Sequence, residues 1–290
     1  MFPSKAIALY DQALSLFHDL SYSDYRAVAG AYSHLGTLFD EKGDIEASLH
    51  SWKEALKIIS NISGNNSSEV AEILYHIGIV YDQLGNYDKS TKCLSESIKI
   101  FRTGTEGDSM IAVSLGYIGK NYMRKQQYAK AVEVSTESLR LKKQHARAED
   151  IAESLVDLGN ILDAWGKPDQ AIQFFDEALR TYIEALGLDS AEVASCKHSI
   201  ALVKKSLGET EEALRYFGEA LRIHRLKEGD KSLNVADILF QIGQIYISFG
   251  DKNKAVKCFE ECLRVRKEIL GEDHLDVLAA QRFVGNTSKP

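Results

Sequence analysis

The chain has 290 residues, 44% of them hydrophobic and 27% charged, with a formal net charge of −7 and four cysteines. This is the balance of an ordinary soluble protein. No apolar run approaches 18 residues and Met1-Phe2-Pro3-Ser4-Lys5 shows no signal-peptide pattern, so secretion and membrane spanning are not expected and a cytoplasmic protein with reduced thiols is.

Residues Ala6 to Phe17 read as one amphipathic helix, with Ala6, Tyr10 and Ala13 as a small, a large and a small side chain on one face. A repeating pattern then sets in. β-Branched residues recur at Val28, Val70, Ile111, Ile151, Val193, Val235 and Val277, spaced 40 to 42 apart, and a period of that length marks a solenoid. The repeats run 28–69, 70–110, 111–150, 151–192, 193–234 and 235–276. Half repeats stand at 1–20, a second helix without its first, and at 277–290, a first helix without its second. We expect one continuous solenoid over 1–290, whose terminal halves are caps or mark a piece of a longer protein.

Eight residues after each opening residue stands a small one: Gly36, Gly78, Gly119, Gly159, Ala201, Gly243 and Gly285. Glycine inside a helix costs roughly 0.5–1 kcal/mol relative to alanine. Its return at one phase therefore implies the close approach of another helix. Seven residues further on, Gly43, Gly85, Gly166, Gly208 and Gly250, with Gln126 as the exception, fit a left-handed helix C-terminus. Each repeat thus divides into a helix A, with an apolar stripe such as Ile73, Leu74, Ile77, Val80, Tyr81 and Leu84, and a helix B. Helix B carries small residues at Ser48, Ser90, Ala131, Ala171, Ala213 and Ala255, and again seven later. Trp52, Phe175, Phe217 and Phe259 lie between these two positions.

Leu74-Ile77-Gly78-Tyr81 and Leu239-Ile242-Gly243-Tyr246, followed by Ala171-Phe175-Ala178 and Ala213-Phe217-Ala220, resemble the tetratricopeptide repeat. The resemblance covers nearly the whole chain and implies an all-α, right-handed solenoid of antiparallel helix pairs. Long repeats of this kind, with linkers such as EILGEDHLDVL at 268–278, are similar to the array of kinesin light chains. The closing proline of the signature is absent from every repeat. Lys197 and Lys204 replace the aromatic and the tyrosine in repeat five, and Ser135 the aromatic in repeat three, so these two repeats are expected to pack least tightly. Polar linkers are expected at 61–68, 103–109, 145–150, 186–191, 228–233 and 271–275, where Ser, Asp and Asn can cap the following helix A.

Catalysis is not expected. Cys258 and Cys262 share a helix face at a spacing that could hold metal, but they occupy phases that small buried residues fill elsewhere, as do Cys93 and its equivalents. No nucleophile-base order, zinc-helix motif or phosphate loop is present. We expect no cofactor and no metal.

What remains is the face of each helix A turned away from helix B, which the resemblance makes the concave, peptide-binding side. It offers Ser33, His34, Thr37, Asp40 and Glu41 in repeat one, and Glu72, Tyr75, His76, Ile79, Asp82 and Gln83 in repeat two. Repeat three adds Tyr117, Lys120, Met123 and Arg124, and repeat four Glu153, Asp157, Asn160 and Asp163. Repeats five and six contribute Ser195, His198, Ser199 and Lys205, then Asp237, Phe240, Gln241 and Gln244. Eight acids stand there against three bases, Lys120, Arg124 and Lys205.

A concave acidic surface focuses its field. It favours a basic or neutral extended peptide and disfavours nucleic acid, which needs a basic stripe, and nothing calls for a membrane. It also runs against the basic, acidic-cargo groove of kinesin light chains and against a carboxylate clamp, which only Lys120, Arg124 and Asn160 approximate. His34 and His76, with Tyr75 and Tyr117, are expected to form an aromatic strip. The expected role is that of a non-catalytic scaffold or adaptor; the alternative is a regulatory or sensor segment of a larger enzyme or signalling protein. Self-association through the end helices is a further expectation.

Overall fold

The computed structural model describes residues 22–104 and 107–287. The helix expected within 1–20 lies outside them. Two compact bodies make up the chain, Met1–Ala146 and Arg147–Pro290. Among the described residues the first contains three helix pairs: α1 (Tyr22–Lys42) with α2 (Ile45–Ser63), α3 (Ser68–Gln83) with α4 (Tyr87–Phe101), and α5 (Asp108–Arg124) with α6 (Tyr128–His145). The second contains α7 (Ala148–Ala164) with α8 (Pro168–Leu186), α9 (Ala191–Ser206) with α10 (Thr210–Glu228), and α11 (Leu233–Ser248) with α12 (Lys252–Leu270). Helix α13 (Leu275–Thr287) packs on α12. No strand occurs among the described residues.

Each A-to-B turn is closed in the same way. The glycine, for instance Gly85 with φ +71°, takes the left-handed conformation, and the next amide donates back to a carbonyl five residues earlier, as in Asn86 N to Tyr81 O at 2.8 Å. Gln126 makes the same turn at φ +57°, with Gln127 N donating to Tyr122 O at 2.8 Å. A side chain at that φ is strained, and this turn carries the strain that glycine relieves in the others. Asp44, Asn86 and Asp251 then cap α2, α4 and α12 through the amides of Ala47, Lys89 and Lys254. Ser67, Ser190 and Ser232 cap α3, α9 and α11, as the linker chemistry predicts.

The linkers themselves are shorter than their composition suggests: helix B persists through Asn61–Ser63, and the connections include 64–67, 146–147, 187–190, 229–232 and 271–274. Four of them begin at a second series of left-handed glycines, Gly64, Gly187, Gly229 and Gly271.

The close approach inferred from the helix A glycines lies within each pair. A β-carbon on Gly36 would sit 2.6 Å from Trp52 Cε2, one on Gly78 2.7 Å from Leu94 Cγ, one on Gly159 2.6 Å from Phe175 Cε1, and one on Gly243 2.7 Å from Phe259 Cε1. Phe175, Phe217 and Phe259 are fully buried. Three of the helix B serines reach a carbonyl across the seam: Ser48 Oγ donates to Gly36 O at 2.8 Å, Ser97 Oγ to Ala71 O at 2.7 Å and Ser138 Oγ to Ala112 O at 2.6 Å.

The two irregular repeats fill the same seam differently. In repeat three Ser135 meets Gly119, and the buried Asn121 reaches back from α5 to donate to Ser90 Oγ on α4 at 2.8 Å. In repeat five Lys197 pairs with Glu219, and Lys204 with Glu209 and Glu212, while Phe217 still fills the centre.

Glutamates at 54, 96, 137, 177, 219 and 261 recur at one phase of helix B, a signal the spacing of apolar residues does not reveal. Arg102, the residue that ends α4, meets Glu137 of α6 at 2.7 Å, and Arg225 of α10 meets Glu261 of α12 at 2.7 Å, tying successive B helices together. Such partly exposed pairs contribute roughly 0.2–1 kcal/mol each.

Two glycine substitutions are expected to have opposite signs. Gly159→Ala pushes a methyl into Phe175 and lowers stability by about 1–3 kcal/mol, the cost of overpacking. Gly218→Ala, on a helical site of α10 with nothing within 4 Å, raises it by about 0.4–1 kcal/mol. Urea denaturation of the two variants measures both.

Candidate partner-binding face

In the first body the A helices α3 and α5 touch, and their outward side chains meet. Tyr75 packs edge-on against Tyr117 with ring centroids 6.3 Å apart, and Lys120 Nζ lies 6.0 Å from the Tyr117 centroid. Asp82 of α3 forms an ion pair with Arg124 of α5, whose guanidinium also covers Tyr87. Tyr75, Tyr117 and His76 thus stand in a row of rings, which Trp52 of the accompanying B helix joins. His76 stacks flat on Trp52 of α2, at 4.3 Å and 3° between planes, and Tyr75 meets it edge-on at 5.1 Å. His34 is exposed on α1. Thr37 is exposed and donates to Ser33 O at 3.3 Å, and Glu72 faces solvent. Asp40 is half-buried with Oδ1 shielded from solvent and without a hydrogen-bond partner. The Tyr75 phenol is pushed up to about 12 by burial, with Tyr117 adding to the effect, so it stays protonated.

In the second body Glu153, Asn160 and Asp163 are exposed along α7 and Asp157 is half-buried. Burial raises the Asp163 carboxyl. Lys205 of α9 donates to Gln241 Oε1 at 2.6 Å and also to Gln244 Oε1, bridging to α11, and burial lowers its ammonium. His198 tilts against Phe217 at 5.5 Å. Asp237 turns toward helix B: Arg266 of α12 meets it at 2.6 Å, donates to Asp276 O at 3.2 Å and covers the Phe240 ring. Phe240 in turn packs on Phe259 and Phe283. Sequence spacing could not have named Arg266, because it comes from the other helix of the pair. Asp82 is thus offset by Arg124, a base already counted on the A faces, whereas Asp237 is offset by Arg266 from helix B, which makes the acidic excess smaller by one than the count of A-face residues implies.

The thiols are poor nucleophiles. Burial raises all four, Cys196 to about 12 and Cys262 to about 11, and Cys196 donates weakly to Phe175 O. Cys196 lies under a shallow depression of about 230 Å³ bounded by Val156, Tyr182 and Ser199. No group of three or more His, Cys, Asp or Glu among the described residues is arranged to hold a metal ion. No helix among them is long and apolar enough to cross a membrane.

Burial lowers the imidazoles of His76 and His198, against the opposing pull of Asp40 and Asp237 respectively, and His224 lowers His198 further. The unfolded chain therefore binds more protons than the fold just below the ordinary value of 6.5. The stability these rings contribute is complete above 6.5 and is lost as pH falls from there through their lowered folded values. We expect both ring resonances to titrate with midpoints below 6.5 in an NMR pH series, and the acid-side loss of stability to shrink in His198→Gln.

The family model for the tetratricopeptide repeat matches residues 27–103, 110–184 and 189–268. No curated protein sequence matches the chain. Among solved structures, the nearly identical TPR-like repeats of a Podosopora anserina kinesin light chain share 13% identity at a TM-score of 0.61, over 70% of this chain and 97% of that one. A Rap protein complexed with competence and sporulation factor shares 14% identity at a TM-score of 0.61, over 96% of this chain and 78% of that one. A signal transduction ATPase with numerous domains and a tetratricopeptide repeat sensor, from Pyrococcus horikoshii, shares 18% identity at a TM-score of 0.73, over 91% of this chain and 40% of that one. At these identities the likeness is one of fold, kinesin light chain-type arrays included. With the model matched over most of its length and glycine-to-aromatic helix pairs in register with that match, the chain belongs to the tetratricopeptide repeat family.

Proposed function

We propose that the chain is a non-catalytic scaffold or adaptor of the cytosol that binds an extended, basic or neutral segment of a partner protein across the A-helix faces. The observation that carries this reading is the α7 stripe, where Glu153, Asp157, Asn160 and Asp163 line one face at helical spacing, with Asp157 half-buried between the exposed Glu153 and Asp163. A carboxylate partly removed from water gains from an incoming cation more than a solvated one does. Side chains on several A helices can add to the grip, so affinity is spread over repeats. The Rap structure solved with a peptide factor supports peptide capture by this fold as an analogy.

A second reading treats the chain as the sensor portion of a larger signalling protein. It is favoured by the likeness to the sensor-bearing ATPase, of which this chain spans 40%. Self-association through α13 is a third, since Leu275, Leu278 and Phe283 stay partly exposed there; light scattering of the purified chain measures it.

The scaffold reading is tested with a panel of fluorescent fifteen-residue peptides of graded charge, by anisotropy at two salt concentrations. The expected outcome is preference for basic peptides, weakened by salt. Asp157→Lys with Asp163→Lys should weaken binding by about tenfold, the ~1.4 kcal/mol expected of two reversed, partly screened charges. Binding that ignores both salt and the double substitution would sink the assignment of this face.

A further inference from the structure

Comparing repeats position by position exposes a missing charge. Asp82 and Asp40 occupy the same place in successive A helices, four residues after Gly78 and Gly36. Asp82 is paired with Arg124, supplied by the next A helix five residues after Gly119. The residue that α3 supplies to Asp40 in that register is Gln83, which is exposed and uncharged. Asp40 Oδ1 is left buried with no hydrogen-bond partner. A buried carboxylate oxygen with no donor is left at a cost that an incoming donor relieves. His76 does not make up the deficit at neutral pH, because burial outweighs the pull of Asp40 and favours its uncharged ring.

The surroundings suit a cation. The His76 ring is held by its stack on Trp52 and Tyr75 stands edge-on beside it. One ring further along the same row, Tyr117 already carries Lys120 over its face. The row thus holds a cation at one end, and at the other a carboxylate oxygen without a donor.

We infer that Asp40, beside His76 at the end of this row of rings, is the receptor for a guanidinium of the partner peptide, taking the place that Arg124 fills for Asp82. A planar guanidinium can donate to the carboxylate while lying against an aromatic ring, which a compact ammonium does less well. This rests on the A-helix reading above and narrows it to an arginine-bearing segment anchored on the first body.

The probe is N-acetyl-arginine methylamide, titrated into the full chain against its uncharged isostere N-acetyl-citrulline methylamide, with the His76 Hε1 and Trp52 Hε1 NMR resonances as readout. The arginine compound should shift both resonances saturably, and the citrulline compound should bind at least about tenfold more weakly, the loss of a cation facing both a carboxylate and a ring. Asp40→Asn should abolish the discrimination. Gln83→Arg, which supplies the missing cation from within, should block the arginine probe and leave the fold intact by circular dichroism. Equal shifts from both probes, no shift from either, or unchanged binding in Gln83→Arg would overturn the assignment. If peptides still bind through Asp157 and Asp163 while the probe does not, this receptor alone fails; if neither binds, the A-face reading fails with it.

Discussion

The contact on which this architecture depends is the one between a helix A glycine and the large side chain that stands over it from helix B. Without a β-carbon at Gly36, Gly78, Gly159 and Gly243, the backbone of helix A can lie directly beneath Trp52, Leu94, Phe175 and Phe259. Burying each such side chain is worth about 1.5–3 kcal/mol, which outweighs the conformational cost of a helical glycine. The same contact sets the crossing of the pair. It therefore sets which side of helix A faces inward and which side is left to carry polar, aromatic and charged residues.

Departures from the pattern are compensated locally. Repeat five has a methyl at Ala201 and lysines at 197 and 204, yet Phe217 remains fully buried and both lysines find carboxylates on α10 or at its cap. Repeat three replaces the aromatic by Ser135 and turns on a left-handed Gln126, while Asn121 ties α5 to α4 through Ser90. An array whose contacts are between neighbours tolerates such exchanges, because each seam is settled by the few residues that form it.

Charge on the A faces obeys a similar economy. An acid within reach of a base on the next A helix, or on the accompanying B helix, is spent on structure, as Asp82 and Asp237 are. An acid whose register partner is neutral keeps its field. Two residues at one place in consecutive repeats can thus differ in role entirely through their neighbours, as Asp40 and Asp82 do.

Helix existence, the pairing of A with B, the turns at Gly43, Gly85, Gly166, Gly208 and Gly250 and the seam itself were legible in the sequence, since each follows from a local steric demand that returns at one phase. Helix ends were less so: the polar stretch at Asn61–Ser63 still lies in α2, and Gly64 stops it. The stack of His76 on Trp52, the capture of Asp237 by Arg266, the donation from Lys205 to Gln241 and Gln244 and the unpaired oxygen of Asp40 required the tertiary structure. Periodicity assigns a residue to a face. Whether a charge on that face is neutralised depends on a side chain some thirty to forty residues away in sequence, whose position only the packing of one helix on another decides.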